Sequence, residues 1–181
     1  WEWNHNPDTT RFSVNNGLRL ATASVTNDLF QARNTLTRRI RGPVSTATIV
    51  LDPANMADGD RAGLSLFRDV TGWVGVRNDG GALSVAMVTG VNLDSNWNTA
   101  GTGTVQASAA VPKGTKIHLR GTVDIRPGGT RVGQFSYSVD GGATFQRLGN
   151  GLTLNNNWTY FIGYRWAIFN VSFLSLVVAS P

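Results

Sequence analysis

Ile117-His118-Leu119-Arg120-Gly121-Thr122-Val123-Asp124-Ile125 alternates without a slip. Ile117, Leu119, Gly121, Val123 and Ile125 share one face, and His118, Arg120, Thr122 and Asp124 share the other. A period of two belongs to an extended strand with one covered and one open side, because successive side chains of a strand point to opposite faces. The same rhythm places Phe135, Tyr137 and Val139 inward against Gln134, Ser136 and Ser138, and Asp140-Gly141-Gly142 then turns the chain back through Phe145. A further hairpin runs from Trp73 to Arg77, turns on Asn78-Asp79-Gly80-Gly81 and returns from Leu83 to Val88. In its first arm Val74 and Val76 face one way, Trp73 and Arg77 the other.

Strands are also predicted at Leu18 to Ser24, Leu36 to Arg41, Ser45 to Leu51, Ala62 to Arg68, Thr104 to Ala110, Tyr160 to Phe169 and Val171 to Ala179. No amphipathic helix of ten residues stands out, and Glu2 is the only glutamate, a composition that disfavours helix. Hairpin-linked strands without a repeat of fixed period predict an all-β fold, an antiparallel two-sheet β-sandwich of jelly-roll type.

The 181 residues, 41% hydrophobic, are expected to fold as a single domain, residues 1–181. The net charge of +5 is scattered, with only Arg38, Arg39 and Arg41 clustered and Lys113 and Lys116 as the sole lysines; no nucleic-acid partner is expected. No apolar run approaches a membrane span, so no membrane partner is expected either. The chain has no cysteine and starts on Trp1, which reads as a piece excised from a larger polypeptide. The triplets Asn157-Trp158-Thr159 and Asn170-Val171-Ser172 permit glycosylation in a secretory route.

Glycoside hydrolysis normally requires two facing carboxyl groups. Asp8, Asp28, Asp79, Asp94 and Asp140 sit in turn-like contexts beside Asn, Gly or Pro, where a short carboxylate accepts backbone N–H bonds. Only Asp124 shares a strand face with other functional side chains, His118 and Arg120. No Gly-x-Ser-x-Gly elbow occurs, and His5 and His118 are far apart, so no catalytic residue and no zinc site are expected. Asp52 to Asp60 has oxygen donors for a structural calcium ion but lacks EF-hand spacing. A connecting loop with Asx turns is preferred there, and no cofactor is expected.

Sugars are held by aromatic rings against their C–H faces and by polar side chains on their hydroxyls. The six tryptophans include Trp97 and Trp158 in Asn-rich loops, either exposed platforms or rings folded over a sandwich end. Trp73 is core if both faces of its sheet are covered and a ligand platform if one is open. The carbohydrate-binding surface expected from these patterns is the polar face of His118, Arg120 and Asp124, bordered by Trp73 and Arg77, with Phe67 to Thr71 as a neighbouring loop.

The opening Trp1-Glu2-Trp3-Asn4-His5-Asn6-Pro7-Asp8 resembles the start of the C-terminal module of family 43 glycoside hydrolases, β-xylosidases and arabinofuranosidases. Leu36-Thr37-Arg38-Arg39, Met56 to Leu64, Gly72 to Val76, Phe135 to Gly142 and Phe161 to Asn170 follow in the order of that family. The resemblance implies a concanavalin A-like sandwich packed on a five-bladed catalytic propeller in the same secreted polypeptide. It also implies a non-catalytic xylan- or arabinoxylan-binding module of carbohydrate-binding family 91 type, or a structural domain without sugar affinity that shapes the propeller's active site. Phe67 to Trp73 is the loop expected to wall that site, with Asn4 and His5 as supports. The chain departs from the family after Asn170, where a glycine-containing loop is replaced by direct continuation into Val171-Ser172-Phe173.

Overall fold

The computed structural model describes residues 1–158 and 162–173. Its strands are β1 (Glu2–Trp3), β2 (Phe12–Val14), β3 (Leu18–Leu20), β4 (Leu36–Arg39), β5 (Val44–Leu51), β6 (Asp60–Phe67) and β7 (Val70–Asp79). They continue with β8 (Ala82–Leu93), β9 (Thr99–Ala110), β10 (Ile117–Asp124), β11 (Val132–Ser138), β12 (Gln146–Arg147), β13 (Leu152–Thr153) and β14 (Arg165–Ser172). A seven-stranded sheet runs β1-β4-β14-β6-β7-β8-β9. It faces a five-stranded sheet ordered β12-β11-β10-β5, in which β13 also pairs with β11. All pairings within both sheets are antiparallel, the sandwich that the alternation predicts.

Between the sheets lie Leu64, Leu66, Val74, Val76, Val85 and Met87 from one side and Ile117, Leu119, Val123 and Phe135 from the other. The strand β10 is central to its sheet and alternates buried with half-buried residues along its length. It pairs with β5 and β11 in continuous register. The β7–β8 hairpin closes on Gly80 and Gly81 at φ 61° and 83°, two successive left-handed residues of the kind that a tight hairpin with the native strand twist requires.

A third layer covers the other face of the seven-stranded sheet. Asp28 caps a short 3-10 turn, Leu29–Gln31, by accepting Phe30 N–H at 2.9 Å, and its second oxygen accepts Thr99 Oγ1–H at 2.5 Å. The anchored turn lays Leu29, Phe30 and Ala32 over Phe67, Trp73, Val88, Val91 and Phe169 to form a second apolar core. Around Trp73 both faces of this sheet are therefore covered, and that decides its place.

Several boundaries differ from expectation. The strand predicted at Leu18 to Ser24 is a three-residue arm of a ribbon with β2. The two strands predicted on either side of Asn170 are one, β14, which runs unbroken to Ser172; residues 160–161 and 174–179 of those predictions lie outside the described residues. Asn170 donates its amide to Leu20 O at 2.8 Å, and Ser172 is fully buried. That triplet is thus part of the strand's packing rather than an accessible glycan acceptor. The Thr159 of the other triplet lies outside the described residues.

Candidate functional site

The residues expected to form one sugar-binding surface are distributed over opposite sides of the sandwich. Trp73 is 7% exposed and stands edge-on to Phe169, with ring centroids 5.4 Å apart, under the third layer. Arg77 shares that strand face and pairs with Asp79 at 2.8 Å. His118, Arg120 and Asp124 lie on the outer face of the five-stranded sheet. The full thickness of the molecule separates the two groups, so Trp73 and Arg77 do not border the polar face. Alternation reports which residues share a side of a strand; it does not report which sheet's side meets solvent.

On the five-stranded face, Arg120 stands between Thr48 and Ser136 in register and donates Nε–H to Thr48 Oγ1 at 2.9 Å. Its guanidinium lies 3.5 Å from the centroid of Phe145. The His118 ring rests on the β11–β12 turn, where a β-carbon on Gly142 would approach it to 3.3 Å. Asp124 is clasped by Arg126 through Nε (2.9 Å), NH2 (2.6 Å) and the backbone N–H (3.1 Å). These bonds from Arg126 hold its carboxyl down at about 2. The three residues thus line one face, with Asp124 committed to its own loop.

The more enclosed arrangement is at one end of the sandwich, where the β6–β7 turn, the β8–β9 loop and the N-terminal segment meet around a cleft of about 460 Å³. Trp3, Phe67 and Trp97 contribute rings to it. Trp3 packs on Phe12 at 4.6 Å, Phe67 on Phe30 at 5.5 Å, and Trp97 is 56% exposed. Asp94 builds the loop that presents Trp97 by accepting the N–H groups of Asn96 and Asn98 at 2.8 and 2.9 Å, which lowers its pKa. Trp97 itself sits at φ 66°, a left-handed conformation unusual for a bulky side chain. His5 Nε2 lies 2.6 Å from Phe30 O and 3.2 Å from Asn4 Nδ2.

The cleft's polar wall is Arg68-Asp69, the two-residue tip between β6 and β7. Arg68 NH1 donates to Asn155 O at 2.8 Å and NH2 to Asn157 O, while Asp69 accepts Asn155 Nδ2–H at 2.6 Å. Tyr164 donates to Val70 O at 2.7 Å and accepts Asn155 N–H at 3.0 Å; burial pushes its phenol up to about 12. This network locks the tip to the chain that leads into β14. The sequence singled out Phe67, Trp97, Asn4 and His5. It gave no signal for Arg68 and Asp69 beyond their place in the expected loop, since their bonds reach more than 80 residues away.

Two carboxylates line this cleft, Glu2 and Asp69. Glu2 is bound by Arg165, which holds it below the usual carboxylate range, the opposite of what a general acid needs. Asp69 is engaged by Asn155 and lies 3.4 Å from Arg68. Among the described residues no group of three His, Cys, Asp or Glu side chains converges as metal ligands. In the Asp52–Asp60 loop, Asp52 accepts Ala54 N–H at 3.1 Å, Asp60 accepts Ala57 N–H at 2.8 Å and Asp58 accepts Gly80 N–H at 2.6 Å. These acids bind backbone, as Asx turns do.

The family model of the β-xylosidase C-terminal concanavalin A-like domain, GH43_C2, matches residues 1–175. Among solved structures, an engineered GH43 glycoside hydrolase with both endo-xylanase and exo-arabinofuranosidase activity is 45% identical, with a TM-score of 0.92 over 96% of this chain and 35% of that one. A bifunctional GH43-CE protein of Bacteroides eggerthii is 33% identical, with a TM-score of 0.84 over 96% of this chain and 21% of that one. A GH43_12 protein from a capybara gut metagenome, at 18% identity and a TM-score of 0.69 over 90% of this chain and 31% of that one, shares the fold. The chain thus spans about a third of the first structure and a fifth of the second. No curated protein matches it.

Proposed function

Because the chain belongs to the C-terminal concanavalin A-like domains of GH43 β-xylosidases, we propose that it is the non-catalytic accessory module of a secreted, hemicellulose-degrading hydrolase. In this proposal it recognises xylan or arabinoxylan through the aromatic cleft at the end of the sandwich, and the 181 residues act as one domain beside a family 43 catalytic propeller. The observation that carries the reading is the exposed Trp97 set beside Trp3, with the amide of Asn4 at the same opening. Rings to stack on sugar C–H faces and fixed donors for hydroxyls are the two elements that oligosaccharide recognition needs. Titration calorimetry with xylohexaose tests it: Trp97→Ala is expected to weaken binding at least tenfold, and unchanged affinity overturns the assignment.

One observation favours a second reading, in which the domain only shapes the propeller's site. Trp97 and Ile162, 56% and 44% exposed, lie on the same cleft, and exposed apolar groups gathered at one opening suit a protein contact as well as a sugar. Retention of the chain on insoluble xylan separates the two, since retention only when the catalytic portion is attached supports the structural role.

A further inference from the structure

A second and larger cleft, about 870 Å³, opens next to the first on the same end of the sandwich. Arg39 at the end of β4, Arg126 and Arg131 on the β10–β11 loop, and Arg165 at the start of β14 all line it, and among the described residues no Asp or Glu does. These arginines are up to 126 positions apart in the chain, counted from Arg39 to Arg165, so the basic character arises only on folding. Arg126 and Arg165 have carboxylate partners, Asp124 and Glu2; among the described residues no ion pair engages Arg39 or Arg131.

The cleft is built before any ligand arrives. Asp124 grips both the backbone and the guanidinium of Arg126, and Gly129 lies so close that a β-carbon there would come within 2.8 Å of Asp124 Oδ1. Arg131 is held at φ 53°, while Leu154 N–H donates to its carbonyl at 2.7 Å. A non-glycine residue kept in the left-handed region by its surroundings is a feature found at binding sites. Ile40, Ile125 and Leu154 supply an apolar lining. Guanidinium groups around an apolar surface fit a ring that presents C–H bonds and a carboxylate, because arginine pairs with carboxylates through two parallel hydrogen bonds.

We propose that this arginine cleft binds a carboxylate-bearing sugar, a uronic acid substituent on a xylan chain, through Arg39 and Arg131. The inference rests on the hemicellulose reading above and deepens it by naming the substituted polymer the module prefers. Inorganic phosphate shares the anionic chemistry but not the C–H faces that Ile40, Ile125 and Leu154 would cover.

The test is titration calorimetry of the full 181-residue chain with glucuronosyl-xylotriose, neutral xylotetraose and inorganic phosphate. The acidic oligosaccharide is expected to bind at least tenfold more tightly than the neutral one. This preference should shrink several-fold when salt is raised from about 0.05 to 0.5 M. It should also be lost in Arg39→Gln and in Arg131→Gly, the latter chosen because glycine accepts the left-handed backbone. Equal affinity for the acidic and neutral oligosaccharides overturns the uronate inference and leaves the xylan reading standing. Phosphate binding as tight as the acidic oligosaccharide overturns it as well. Binding of none of the three overturns both. Retained preference in both arginine variants, with unchanged thermal midpoints, overturns the assignment to this cleft.

Discussion

The indole of Trp166 fills the space above Gly121: a β-carbon built on that glycine would lie 2.4 Å from Trp166 Cζ3. Trp166 belongs to the seven-stranded sheet and Gly121 to the five-stranded one, and Trp166 Nε1–H also donates to Ser45 Oγ at 3.0 Å, so one side chain links the two layers. Gly121→Ala should destabilise the fold by about 1–3 kcal/mol, the usual cost of overpacking a filled core. A lowered urea midpoint with an unchanged denaturant slope would register it. A midpoint equal to the wild type would mean that the indole shifts freely.

Trp73→Ala should act on stability. The ring is buried against Phe169 in the second core, and truncating a buried aromatic costs about 3–5 kcal/mol. Urea titration measures the loss directly. At temperatures where the variant remains folded, xylohexaose affinity is expected to fall less than in Trp97→Ala, because the ring itself lines neither cleft.

Arg120 and Phe145 form a stacked pair on the outer face of the five-stranded sheet. A double-mutant cycle of Arg120→Ala and Phe145→Ala should give a coupling of about 0.5–1 kcal/mol, the range of an exposed cation–π contact. The same Arg120→Ala protein serves as a binding control. If the aromatic cleft is the xylan site, its affinity for xylohexaose changes less than about twofold; a tenfold loss would move the site to this face.

Acid should loosen the β10–β11 and β11–β12 turns. Asp124 is held at about 2 by Arg126. Asp140 is held well below the ordinary 3.8 by Ser138 Oγ at 2.6 Å and by the hydroxyl and N–H of Thr144 at 2.5 and 3.0 Å. A carboxyl whose folded pKa is depressed contributes stability above its unfolded value and loses it as pH falls through the folded value. The thermal midpoint should therefore drop between about pH 4 and pH 2, and Asp140→Asn should make that drop shallower. An acid limb identical in the variant would remove Asp140 from the account.

Much of the fold was legible because its signals are local. Alternation in Ile117 to Ile125 follows from the geometry of an extended chain, and the Gly80-Gly81 turn follows from the positive φ values that a tight hairpin needs. The unbroken run of β14 through Asn170 was harder to read, because the polar Asn170 is accommodated by a carbonyl 150 residues earlier, at Leu20. The candidate site was legible in part. Trp97 and Phe67 announced themselves as aromatics in or beside loops, whereas Arg68 and Asp69 gain their partners from Asn155 and Asn157 across the fold.

By itself the sequence determined that the chain is made of paired strands, which residues share a side of each strand, where hairpins turn and which family the opening Trp1-Glu2-Trp3-Asn4-His5-Asn6-Pro7-Asp8 resembles. Only the tertiary structure decided which of those sides meet water. Trp73 and Arg120 each lie on the face opposite the core between the sheets, yet the segment around Leu29 and Phe30 covers one of those faces and leaves the other open. The physical reason is that burial depends on a third layer contributed from far along the chain, and no period within a strand encodes what will be laid over it.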